Sequence, residues 1–245
     1  MAGAQRIRVA VAQLAYHPAA RVDGRSPLED PLFVADSSGA LPSALRPPGC
    51  ALDPIVEGRV ATLERRVREV HGEQLLARIT AILERCQRWG VELLVLPEYS
   101  VAAELLPAIA AAAGEVMVVA GSHVIDKREL QGASGGGIYG DLGWQGDARA
   151  MQGCAAAPVL HRGEVVHLQG KLHPAEHGDE RARWSGRRFA TIDLAPLGVD
   201  GSLAVLFGND LRDRSDAVWR DEIEAALGDC RLLAVIASPY LFSPA

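Results

Sequence analysis

The stretch WGVELLVLPEYS, residues 89–100, decides how the chain is read. The run VELLVL (91–96) has no polar–apolar alternation and ends abruptly at Pro97-Glu98-Tyr99, which marks a strand buried on both faces. Before it, Leu75, Leu76, Ile79, Ile82, Leu83 and Cys86 form one stripe at helical spacing over 73–89, and Gly90 supplies the stop. A charge-rich segment further upstream, 57–70, spaces Val60, Leu63, Val67 and Val70 as a separate helix. Downstream, an Ala-rich helix over about 101–113 leads into the strand EVMVVAGS (115–122). At the start of the chain, residues 6–14 (IRVAVAQL with Arg6) read as a buried first strand. Strands and helices thus alternate, which predicts an α/β architecture with active groups just beyond the carboxyl ends of strands. Glu98 occupies such an end.

The bulk properties agree with an ordinary globular chain. At 245 residues, 49% hydrophobic and 23% charged, it can bury a sizeable core, and one domain spanning 1–245 is expected. The net charge of −6 argues against broad nucleic-acid binding. Cys50, Cys86, Cys154 and Cys230 are scattered without a CxxC pair, so neither a zinc site nor a disulfide framework is suggested. The apolar run near the N-terminus is too short for a signal peptide or membrane span, and a cytoplasmic location is expected. A Pro/Gly/Ser-rich insertion at about 18–54 shows neither helical nor strand periodicity.

The second half supplies more strand ends. GASGGGIYGDLG (132–143) lacks the GK[ST] ending of a phosphate loop and reads as a flexible turn. CAAAPVLHRGEVVHLQGKLHP reads as a hairpin turning at Arg162-Gly163, with Lys171 at the end of its returning strand. RRFATIDL (187–194), LAVLF (203–207) and RLLAVIAS (231–238) are further strands, and DAVWRDEIEAAL (216–227) is an amphipathic helix. His173 and His177 share i, i+4 spacing, but Pro174 argues against a helix across them, so no metal site is assigned.

Three strand ends stand out: LVLPE with Glu98, GKLHP with Lys171, and LFGND with Gly208, Asn209 and Asp210. Together with VAVAQL, the AGS of VVAGSHV and the PVLHRGEVV hairpin, this ordered set resembles the nitrilase, or carbon–nitrogen hydrolase, superfamily over about 6–14 and 73–240. The resemblance implies an αββα sandwich in which a glutamate manages protons, a lysine stabilises developing negative charge and a cysteine attacks the substrate carbon. It places Glu98 and Lys171 at the first two positions and puts Gly208, which has no side chain, at the third. A second glutamate of that family maps to Glu180, in the ERARW segment, or to Glu176. Asn209 and Asp210 are displaced along the chain from the nucleophile position, and Cys230 precedes the following strand, remote from the turn.

Those residues imply a catalytically degenerate hydrolase domain retained for ligand binding or assembly. The alternatives are an active amidase- or nitrilase-type enzyme with a non-cysteine mechanism, and a structural subunit of a larger complex. No cofactor is implied. A small amide- or nitrile-like ligand and a homo-oligomer or larger assembly are the expected partners, with no nucleic acid and no membrane. The sandwich is expected to lack its C-terminal strands, as a fragment of a longer protein or a subunit completed by a partner.

Overall fold

The computed structural model of the chain describes residues 6–14, 54–125, 137–146, 151–173, 189–208 and 223–236, together with Glu129 and Asp210. Its first sheet contains β1 (Val9–Val11), β2 (Leu93–Leu96), β3 (Met117–Ala120), β4 (His123–Val124), β5 (Ala155–His161) and β6 (Glu164–Gly170). The strands pair along the path β1-β2-β3-β5-β4, and β6 also pairs with β5. β1, β2 and β3 run parallel, while β5 is antiparallel to β3, β4 and β6. Parallel neighbours require long crossovers, and two helices supply them: α1 (Pro54–Trp89) between β1 and β2, and α2 (Leu106–Ala113) between β2 and β3. The second sheet, in the order β7-β8-β9, holds β7 (Ile192–Asp193), β8 (Ser202–Phe207) and β9 (Leu232–Ile236).

The period-2 alternation of side chains along each strand produces the layering. In β2 and β3, Leu94, Leu96 and Val118 face Leu75, Ile79, Leu83 and Ile109 of the helices. Their neighbours Leu93, Val95, Met117 and Val119 face Leu203, Val205 and Phe207 of β8 and Ile236 of β9. Behind β8, Leu206 meets Ile223, which immediately precedes α4 (Glu224–Asp229). The layers are helix, sheet, sheet, helix, an αββα sandwich of the α/β class.

Several local expectations change. The two helices predicted over 57–70 and 73–89 are one, because Gly72 between them costs only about 1 kcal/mol in a helix interior and nothing else breaks the run. β1 is not buried on both faces. Among the described residues it is an edge strand, and Val9 and Val11 are 42% and 79% exposed. Of the Gly-rich 132–143 segment, read as a flexible turn, residues 132–136 lie outside the described residues. Its second half forms a short helix, α3 (Gly137–Asp141), fixed by the buried side chains of Tyr139 and Leu142. Of the strand predicted over 187–194, residues 187–188 lie outside the described residues, 189–191 are not strand, and β7 ends where Asp193 accepts the Ala195 N–H at 2.9 Å and opens a 3-10 turn at Ala195–Leu197.

The hairpin is as expected: Arg162 and Gly163 both take positive φ, 50° and 84°, as a tight two-residue turn between β5 and β6 demands. Residues 18–53 of the insertion, 216–222 of the predicted helix and 237–238 of the last strand lie outside the described residues. No helix among the described residues is long and apolar enough to cross a membrane.

Candidate functional site

Glu98 follows β2, and its turn is shaped by backbone geometry that the sequence conceals. Tyr99 is held at φ 55°, uncommon for an aromatic residue. Its N–H donates to the Ser122 hydroxyl at 3.1 Å, and the Ser100 hydroxyl donates to the Pro97 carbonyl at 2.7 Å. The AGS segment after β3 is the other half of this lock. Gly121 has φ +64°, and a Cβ there would stand 2.4 Å from the Pro97 carbonyl oxygen, so only glycine permits the approach.

Lys171 follows β6 directly. Its own N–H donates to the Ala155 carbonyl at 2.8 Å, which keeps the residue at the sheet end. Its ammonium donates to Glu98 Oε1 at 3.0 Å, and the two side chains are only 3% and 2% exposed. Lys171 Nζ also lies 5.9 Å from the centroid of the Tyr99 ring and 5.8 Å from that of Phe207, within reach of cation–π attraction. Two carboxyl strand ends of the first sheet and one of the second therefore meet at this amine.

Phe207 is the last residue of β8 and Gly208 the next. The Gly208 N–H donates to the Ile236 carbonyl at 2.9 Å, continuing the ladder between β8 and β9. Asp210, with no exposed surface, folds back over this turn. Its Oδ2 accepts the Phe207 N–H at 3.2 Å, while Oδ1 accepts those of Leu172 and His173 at 3.0 and 2.8 Å. A carboxylate already accepting three N–H groups is badly placed to attack a substrate, so Asp210 does not substitute for a nucleophile.

The structure brings Glu98 and Lys171 together and sets Gly208 between Phe207, beside the lysine, and Asp210, bonded to the lysine's segment. Glu176, Glu180, His177 and Asn209 lie outside the described residues. Cys230 sits at the far end of β9 from the Gly208 turn, and Cys86 and Cys154 are buried and form no disulfide. Burial raises the Cys86 thiol above its ordinary value. Sequence reasoning missed the ring walls of Tyr99 and Phe207, the Ser122 brace and the work of the Asp210 carboxylate. For Asp210 a signal existed: an acid just past a buried strand end is well placed to bind backbone N–H groups that the sheet leaves unpaired.

No protein-family model matches the chain. No curated protein matches it either. Among solved structures, it is similar to the glutamine-dependent NAD+ synthetase from Acinetobacter baumannii, at 13% identity and a TM-score of 0.46, over 71% of this chain and 30% of that one. It is also similar to the NitN amidase from Nesterenkonia sp. AN1, at 17% identity and a TM-score of 0.45, over 68% of this chain and 61% of that one. A mutant of the Nesterenkonia AN1 amidase, described as of the nitrilase superfamily, gives 16% identity, a TM-score of 0.44, and coverage of 68% and 59%. The chain thus spans less than two thirds of each of these proteins. At such identities and TM-scores the likeness transfers no activity.

Proposed function

We propose that the chain is a nitrilase-type carbon–nitrogen hydrolase domain that has kept its polar site and lost covalent catalysis. The observation that carries this reading is the buried Glu98–Lys171 pair near the Gly208 turn, where the family resemblance puts the nucleophile. Glycine offers no atom to attack an amide or nitrile carbon. Lys171 and Glu98 meet beside the Tyr99 and Phe207 rings, and in this reading their charged groups are the ones that receive a small neutral polar ligand. In this reading the domain binds an amide- or nitrile-like molecule and works in the cytoplasm within a homo-oligomer or larger assembly.

A second reading is favoured by the same pair: Glu98 activates a water molecule, and Lys171 stabilises the resulting oxyanion without a covalent intermediate. Steady-state assays of short amides and nitriles with the native protein and Glu98→Gln separate the two. No turnover by either protein is the outcome expected of the degenerate domain. Turnover by the native protein that Glu98→Gln abolishes selects the water mechanism.

A further inference from the structure

We propose that Asp210 is the positioning residue of this site: its carboxylate ties the Lys171 segment of one sheet to the β8 end of the other and so fixes Lys171 relative to Gly208. The inference rests on reading Glu98 and Lys171 as the polar site. Lys171 is held on its N-terminal side within its own sheet, by the Ala155 carbonyl. On its C-terminal side the next two N–H groups, of Leu172 and His173, both reach across to Asp210 Oδ1. The other oxygen of the same carboxylate receives the Phe207 N–H, at the end of β8. One buried side chain thus joins the two segments that must stay in register if lysine and turn are to form one site. Hydrogen bonds to an ionised acceptor are about twice as strong as neutral ones, and three donors converging on one carboxylate leave it little freedom to move. His173 Nδ1 lies 3.6 Å from Oδ1, adding a fourth polar neighbour on the same side.

The arrangement also sorts Asp210 from the catalytic groups. Its oxygens serve the backbone, so it acts through Lys171 and touches no ligand. Removing it leaves three amides without their acceptor and frees the residue after Lys171 to move.

The test uses the full chain and needs no ligand. Lys171 is acetylated competitively with acetic anhydride and quantified by peptide mass spectrometry in the native protein, Asp210→Asn and Asp210→Ala. Alkylation of the buried thiols Cys86 and Cys154 in the same samples reports general loosening of the fold. Lys171 in Asp210→Ala is expected to react about tenfold faster or more, through local opening, with both thiols as slow as in the native protein. Asp210→Asn, which keeps one oxygen but turns an amide donor toward another backbone N–H, is expected to fall between the two. It carries the comparison alone if the alanine variant does not fold. Native-like Lys171 labelling in a folded variant overturns the proposal, and so does a rise that the thiols share in equal measure. The measurement reads only Lys171, so failure of the ligand-binding reading leaves it intact, and its own failure leaves ligand binding to be judged by the amide assays.

Discussion

Lys171 Nζ stands 3.0 Å from Glu98 Oε1 although 73 positions separate the two residues along the chain, and the pair is almost wholly shielded from solvent. Removing one partner strands the other charge in the interior. Glu98→Ala or Lys171→Met should each destabilise the protein by about 3–5 kcal/mol in urea unfolding, whereas the double variant should cost clearly less than their sum. Strict additivity would show that the charges are not coupled.

The lock between the Glu98 turn and the AGS segment makes Gly121 far less tolerant than another glycine of positive φ. At Gly121 a Cβ collides with the Pro97 carbonyl, while at Gly163, with φ +84°, nothing lies within 4 Å of the added carbon. Gly163→Ala should therefore cost only its backbone strain, about 1–2 kcal/mol, and Gly121→Ala distinctly more. Equal losses in thermal unfolding would contradict the close approach.

The edge position of β1 has a similarly direct reading. Leu94→Ala, in the core between helices and sheet, should cost about 2–5 kcal/mol, and Val11→Ala about 0.5 kcal/mol or less. A large loss at Val11 would mean that this strand is covered in solution.

Two histidines set an acid limit on stability. Burial holds His167 below the ordinary imidazole value of 6.5 against a favourable Gln169 contact. His161 is also lowered, first by burial and then by Arg162. Both bind protons more readily in the unfolded chain, so the stability tied to their neutral forms is complete above about pH 6.5 and declines below it. The urea midpoint should fall between pH 7.5 and 5.5, and His167→Gln should flatten that fall. An unchanged slope in the variant would assign the acid sensitivity elsewhere.

How far the sequence could be read follows from the range of each interaction. The VELLVL strand and the Arg162-Gly163 turn were legible because run length, glycine and strand spacing act within a few residues. The strand-end positions of Glu98 and Lys171 were legible from the strand pattern, but their pairing was not, since nothing local says that two strand ends from one sheet will share a charge pair. The exposure of Val9 and Val11 follows from tertiary surroundings that their local pattern, that of a buried strand, does not encode. The continuity of α1 through Gly72 turned on a small helix penalty that tertiary packing outweighs. Asp210 carried a local signal, its place just past a buried strand end, but its donors could not be read locally because they come from two distant segments, Leu172 and His173 after β6 and Phe207 of β8.

In the proposed reading, Gly208 leaves the site without a nucleophile. Intact-mass analysis of the native protein and Gly208→Cys after incubation with a panel of amides and nitriles tests it most directly. A covalent adduct is expected on the cysteine variant and none on the native chain. A substrate-derived adduct on the native protein would contradict it.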